Sequence, residues 1–229
     1  MPDNANNPPK GPYEPKCLVH STPVARRERL QQLGVPEELL IEALQRGIAE
    51  KLTSEIYDPA TAGGYDLYRY TTRHLREGLH RLGWELSDTN NIALVREPRD
   101  GTALIVCSGD QQTGQLIGDL PKTKRSKGDV FLEVTEVVAR DLWGNEETET
   151  RLIALPDAKV WLLLHYHAII DGQEVVRAEL SLPQVAEGGT ITGWSERIIL
   201  YVPLPDAMPD DETGSDTGPI ITPDVKIRI

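Results

Sequence analysis

The stretch Lys159 to Leu182, KVWLLLHYHAIIDGQEVVRAELSL, decides the fold class. Two apolar runs flank Asp171 and Gly172, a dipeptide that favours a type I′ hairpin because both central residues need positive φ. That turn fixes the register, setting His165 opposite Ala178, Tyr166 opposite Arg177 and His167 opposite Val176. Side chains alternate across a strand, so Trp161, Leu163, His165, His167, Val176, Ala178 and Leu180 share one face. Leu162 and Leu164 on the other face are also apolar, which predicts a central strand covered on both sides.

Moving outward, Ile92 to Arg96 and Thr102 to Cys107 flank the turn residues EPRDG and read as a second hairpin. Beyond the first hairpin, Gly188, Gly189 and Gly193 punctuate a loop, and Glu196 to Val202 makes another strand. The N-terminal part is helical from Pro23, with a break at Gly34, Val35 and Pro36. In the second helix Leu39, Leu40, Ala43, Leu44, Ile48 and Leu52 recur at three and four residues. DPATAGG, residues 58–64, connects to a third helix whose apolar face runs from Leu67 to Leu82 and stops at Gly83. Val130 to Leu142 satisfies both periods; the spacing of Val130, Val134, Val137, Val138 and Leu142 favours a helix that starts at Gly128 and Asp129 and ends at Gly144. The sum is an α+β domain over residues 23–204, with N-terminal helices packed on a largely antiparallel sheet and one further helix after a basic loop.

Residues 1–22 are rich in Pro and Asn and read as a flexible arm, whereas residues 205–229 form an acidic tail. In that tail Val225, Ile227 and Ile229 alternate with Lys226 and Arg228, the pattern of a terminal edge strand. Hydrophobic residues make up 39% and charged residues 26% of the chain, a globular balance. The formal charge of −12, from 24 Lys and Arg against 36 Asp and Glu, repels polyphosphate at long range. An anion site must therefore be a local basic patch. Two cysteines, Cys17 and Cys107, build neither a disulfide framework nor a Cys-based zinc site, and no stretch has the length of a membrane span; the expectation is a cytoplasmic protein with no membrane partner.

That local patch is PKTKRSKG, residues 121–128, where Lys122, Lys124, Arg125 and Lys127 are interleaved with the hydroxyls of Thr123 and Ser126. Ammonium and guanidinium groups attract phosphate oxygens, and hydroxyls and free amides add directional donors. The apolar run Ala103 to Cys107 empties into Ser108, Gly109, Asp110 and Thr113 just before it, so a rigid strand holds one end of the loop. On the third helix Arg69, Arg73, Arg76 and His80 follow one stripe, an anion grip if it faces the loop and a solvated face otherwise.

Other chemistry has less to stand on. Asp110 at a strand end suits Mg²⁺ or a base, with Glu133, Glu136 and Lys122 as helpers, but the ExK pair that a carboxylate-metal nuclease would add is missing. His165 and His167 share a face and, over this hairpin alone, the run resembles the HxH metal motif of the cupins. The glycines and the later His of that motif are absent, so both histidines read as core residues and neither a metal nor another cofactor is expected. No GxSxG elbow and no P-loop occur.

The reading is a non-enzymatic binding or adaptor protein that grips a phosphate-bearing ligand, nucleic acid included, through Ser108, Asp110, Thr113, Lys122, Thr123, Lys124, Arg125 and Lys127, with Arg69, Arg73 and Arg76. The alternatives are a metal-dependent hydrolase or nuclease centred on Asp110, and an acidic interaction or inhibitor module that meets a protein partner through its arm or tail.

Overall fold

The computed structural model describes residues 17–135, 138–140 and 159–203. Three helices, α1 (Pro23–Gln32), α2 (Glu37–Leu52) and α3 (Ala62–Arg81), come early in the chain, and most of the strands follow them. Those strands are β2 (Glu85–Ser87), β3 (Leu94–Arg96), β4 (Ala103–Ser108), β5 (Val138–Arg140), β6 (Val160–Ile170), β7 (Gln173–Glu187) and β8 (Thr190–Leu200). The sheet runs β1-β8-β7-β6-β4-β3-β2, where β1 (Leu18–His20) lies parallel to β8. This is the expected α+β architecture on a largely antiparallel sheet. Leu18 to His20, which composition places in the arm, pair with Glu196 to Ile198.

The β6–β7 register has His165 opposite Ala178, Tyr166 opposite Arg177 and His167 opposite Val176, and Asp171 and Gly172 take the positive φ values of 52° and 77° that the turn requires. Since β6 lies between β4 and β7, Leu162, Leu163 and Leu164 are all fully buried. Leu163 joins Leu104, Val106, Trp161 and Leu180 under Leu40, Leu44, Leu75 and Leu79 of the helices. Leu162 and Leu164 join Ile105, Cys107, Ile191 and Trp194 on the opposite face, which Leu132 of α4 (Asp129–Thr135) covers. Alternation along β4 and β6 thus builds two cores from one pair of strands.

Two expectations are corrected. The helix read across Val130 to Leu142 ends at Thr135, and Val138 to Arg140 form β5 on the far end of β7, at Val185 to Glu187. The β-branched Val138 favours the strand once a partner edge is free, and β7 outruns β6 to offer one. Gly144, the expected stop, lies outside the described residues, as do residues 1–16 and the acidic tail. The loop read around Gly188 to Gly193 is a second long hairpin: Gly188 and Gly189 turn with φ of 54° and 75°, while Pro183 sits in β7 at a register shift. A bulge there absorbs the missing N–H of proline.

Candidate functional site

The segment after β4 is tied down at both ends, where it leaves β4 and where it returns along β8. Gly109 bridges Thr123, the Asp110 amide donates to the Lys122 carbonyl (3.0 Å) and the Lys124 amide to the Ser108 carbonyl (2.9 Å). Thr123 exchanges two bonds with Ile191 of β8, amide to carbonyl and Ile191 amide to hydroxyl, both 3.1 Å. Trp194 donates its Nε1–H to the Pro121 carbonyl at 2.7 Å, and the Ser126 hydroxyl donates to the Gly188 carbonyl at 3.2 Å. Backbone and hydroxyls are therefore spent on the scaffold, and the cations project from it.

This sorts the expected ligand residues. Thr123 is buried by its bonds to β8. Asp110 caps its own turn, accepting from the Gln112 amide at 3.0 Å. Thr113 is fully buried and packs so closely on Gly109 that a Cβ there would strike its hydroxyl. Lys122, Lys124 and Arg125 are exposed; Lys127 lies with its ammonium 5.0 Å from the centre of the Phe131 ring. Among the described residues none of these four cations, nor Lys51, has an ion pair. The α3 stripe is otherwise occupied. Arg76 grips Asp88 with two bonds of 2.9 and 3.0 Å, Arg69 lies 4.9 Å over the Tyr70 ring and 4.0 Å from Asp66, and Arg73 is exposed. Among the described residues no hydrogen bond or ion pair joins that stripe to the loop.

What the fold does bring to the loop is a polar corner on the helix side of β4 and β6. Ser108 and His165 are register partners, with Ser108 Oγ 3.5 Å from His165 Nε2. His167, two residues on and nearly buried, has Nδ1 2.5 Å from Lys51 Nζ at the end of α2 and Nε2 2.6 Å from Glu174 Oε1 of β7. Glu174 can only accept from a neutral imidazole, which assigns the proton to Nε2 and leaves the Nδ1 lone pair to the Lys51 ammonium. Burial, then the Lys124 charge, lower the Lys51 pKa from the usual lysine value, and Glu174 opposes them. His165 is pushed down to about 4, by burial first and then by Lys51, His167, Lys124 and Lys127. Lys51 of α2 and two lysines of the basic loop, remote from it in sequence, therefore act on the same buried histidine.

Of the residues expected from the sequence, Ser108 and Lys124 belong to this corner, and Lys127 contributes charge. Lys51 and Glu174 were not singled out. Glu174 was within reach of the hairpin register, since it lies diagonal to His167 on the same face. Two clefts, of about 380 Å³ at the α1–α2 junction and about 520 Å³ beside Arg26, Arg177 and Tyr201, lie away from this corner. Among the described residues no group of three or more His, Cys, Asp or Glu could hold a metal ion, and no helix is long and apolar enough to cross a membrane. Glu136 of the metal alternative lies outside the described residues. No family model, curated protein or solved structure matches this chain.

Proposed function

We propose that this protein binds a phosphate-bearing ligand at the corner where Lys51 of α2 meets Lys124 of the basic loop, with Lys122 and Arg125 as outer contacts. One observation carries the reading. Lys51 and Lys124 share a corner with His165 and His167, and neither lysine has an ion pair among the described residues of a chain with a charge of −12. Two ammonium groups brought together raise each other's energy, and an anion placed between them removes that cost.

The experiment is titration with inorganic phosphate, pyrophosphate and a short oligonucleotide at two salt concentrations. Binding should weaken on Lys124→Ala and on Lys51→Met, and should fall with salt in proportion to the number of phosphates contacted. Undiminished binding in both variants ends the proposal.

A second reading, as a protein-interaction module, is favoured by a different feature of the same loop. Its tip exposes Leu116, Ile117 and Leu120 (62%, 88% and 41%), a run of apolar side chains that a protein surface would cover. A pull-down that loses a protein on Ile117→Asp, with phosphate binding intact, supports this reading independently.

A further inference from the structure

We propose that Lys51 is a nucleophilic amine that forms an imine with an aldehyde or ketone that also carries a phosphate. The proposal rests on the phosphate-binding reading for the anionic half of that ligand; the carbonyl half stands on the Lys51, His167 and Glu174 arrangement.

The geometry is that of an amine beside an oriented base. His167 Nδ1 lies 2.5 Å from Lys51 Nζ, and Glu174 Oε1, 2.6 Å from His167 Nε2, fixes the tautomer that leaves Nδ1 free to accept a proton. The His167 side chain is 3% exposed, whereas Glu174 is 27% exposed, so the base is held inside the protein with its orienting carboxylate at the rim. Lys51 itself is only partly buried. Burial and the Lys124 charge both favour the neutral amine, the form that attacks. A structural lysine would more simply be paired with a carboxylate, yet here a histidine stands between Lys51 and Glu174.

The step balances within the corner. His167 Nδ1 takes a proton from the Lys51 ammonium, and the freed nitrogen lone pair forms a bond to the carbonyl carbon while the carbonyl π pair moves onto oxygen. That oxygen receives the proton back from His167. A second proton passes from nitrogen through His167 to the same oxygen, the C–O bond breaks, and water leaves. One ammonium and one carbonyl thus become one protonated imine and one water, and no oxidant or reductant is consumed. Lys124, whose amide is bonded to the carbonyl of Ser108 beside His165, is the cation assigned to the phosphate.

The test uses the full chain, pyridoxal 5′-phosphate and unphosphorylated pyridoxal as probes, and borohydride to fix the imine, followed by peptide mass mapping. At neutral pH and low probe concentration, Lys51 should carry at least about ten-fold more pyridoxyl label than Lys122 or the other exposed lysines. His167→Gln should lower the labelling rate of Lys51 by about ten- to a hundred-fold and move its pH profile upward, the scale expected for losing an acid–base group. Should His167→Gln fail to fold, Glu174→Gln at the exposed rim removes the orienting charge and should lower the labelling rate at a pH where Lys51 is fully neutral, a readout that the accompanying fall in the Lys51 pKa does not move. Label spread evenly over the exposed lysines, or a Lys51 rate unchanged in a folded variant, overturns the proposal. Two arms separate it from the reading it rests on. If both probes label Lys51 equally and inorganic phosphate gives no protection, the imine chemistry stands and phosphate binding falls. If phosphate binds through Lys51 and Lys124 but neither aldehyde labels Lys51, the imine proposal falls alone.

Discussion

Arg197 of β8 holds Glu179 of β7 through two hydrogen bonds, Nε to Oε1 at 2.9 Å and Nη2 to Oε2 at 2.5 Å, on side chains 4% and 0% exposed. The pair also pins the segment that leads to the basic loop. The Gly114 amide donates to Glu179 Oε2 at 2.8 Å, Arg197 Nη2 donates to the Gln115 carbonyl at 3.1 Å, and the Ser181 hydroxyl donates to Glu179 Oε1 at 2.8 Å. Gly114 has φ of 72°, and an added Cβ would meet Arg177 Cβ at 3.0 Å, so the chain crosses β7 at close range.

From this pair follows a stability prediction with an internal control. Arg197→Met leaves a carboxylate buried without its countercharge and should cost about 3–5 kcal/mol in denaturant unfolding. The double change Arg197→Met with Glu179→Leu removes both charges and should recover part of that loss, the rest reflecting the Gly114 amide, the Ser181 hydroxyl and the Gln115 carbonyl that lose their partners. In the single variant, amide exchange at Gly114 should also speed up. Equal costs for the single and double variants would mean that the ion pair contributes nothing specific.

Acid sensitivity should be set in part by His165. Its pKa is pushed from 6.5 to about 4 in the fold, so the unfolded chain takes up a proton that the folded chain refuses. The sign is that of a buried neutral base: stability is full above about pH 6.5 and is lost as pH falls, by on the order of 3 kcal/mol near pH 4. His165→Gln should flatten the decline of melting temperature between those pH values. A variant whose decline parallels that of the parent refutes the assignment.

Gly47 marks where α2 and α3 touch. A Cβ at this position would lie 2.6 Å from the Leu67 carbonyl oxygen and would strike the Thr71 hydroxyl. Gly→Ala gains about 1 kcal/mol of helix propensity, but overpacking against backbone that cannot rotate costs about 1–3 kcal/mol. Gly47→Ala should therefore destabilise on balance. Thr71→Ala should restore part of the loss, because the Thr71 hydroxyl is buried without a hydrogen-bond partner among the described residues. Thermal melts of the two single variants and the double variant decide it.

Legibility in the sequence follows how local each determinant is. The β6–β7 register was readable because Asp171 and Gly172 specify one turn and a slip by one residue would flip every side chain to the wrong face. The β7–β8 hairpin was hidden because Gly188 and Gly189 give the same signal as a loose loop, and Pro183 argues against a strand until the bulge is known. Val138 fits helix and strand alike, and only the free length of β7 settles it. At the corner, charge density pointed to Lys124 and register could have pointed to Glu174, but nothing near Lys51 in the chain tells that α2 ends over His167. Likewise the Arg76 stripe looked free because its partner Asp88 lies twelve residues away, beyond the helix end.

The coupling between Lys51 and Lys124 gives the most direct measure of whether the corner is electropositive. Lys124 is the second cause of the lowered Lys51 pKa, after burial, and Glu174 works against it. Lys124→Ala should therefore raise the Lys51 pKa toward the ordinary lysine value without restoring it fully, since burial persists. Glu174→Gln should lower it further. Titration of the Lys51 ε-carbon by NMR in labelled protein reads both shifts, and their signs must be opposite. Added inorganic phosphate should act as Lys124→Ala does, raising the Lys51 pKa by neutralising its neighbour, and should raise the melting temperature of the parent as its concentration passes the dissociation constant. In Lys124→Ala both responses should shrink. A Lys51 pKa indifferent to Lys124 and to phosphate would show that solvent already screens the two ammonium groups from each other, leaving the corner no electrostatic reason to take an anion.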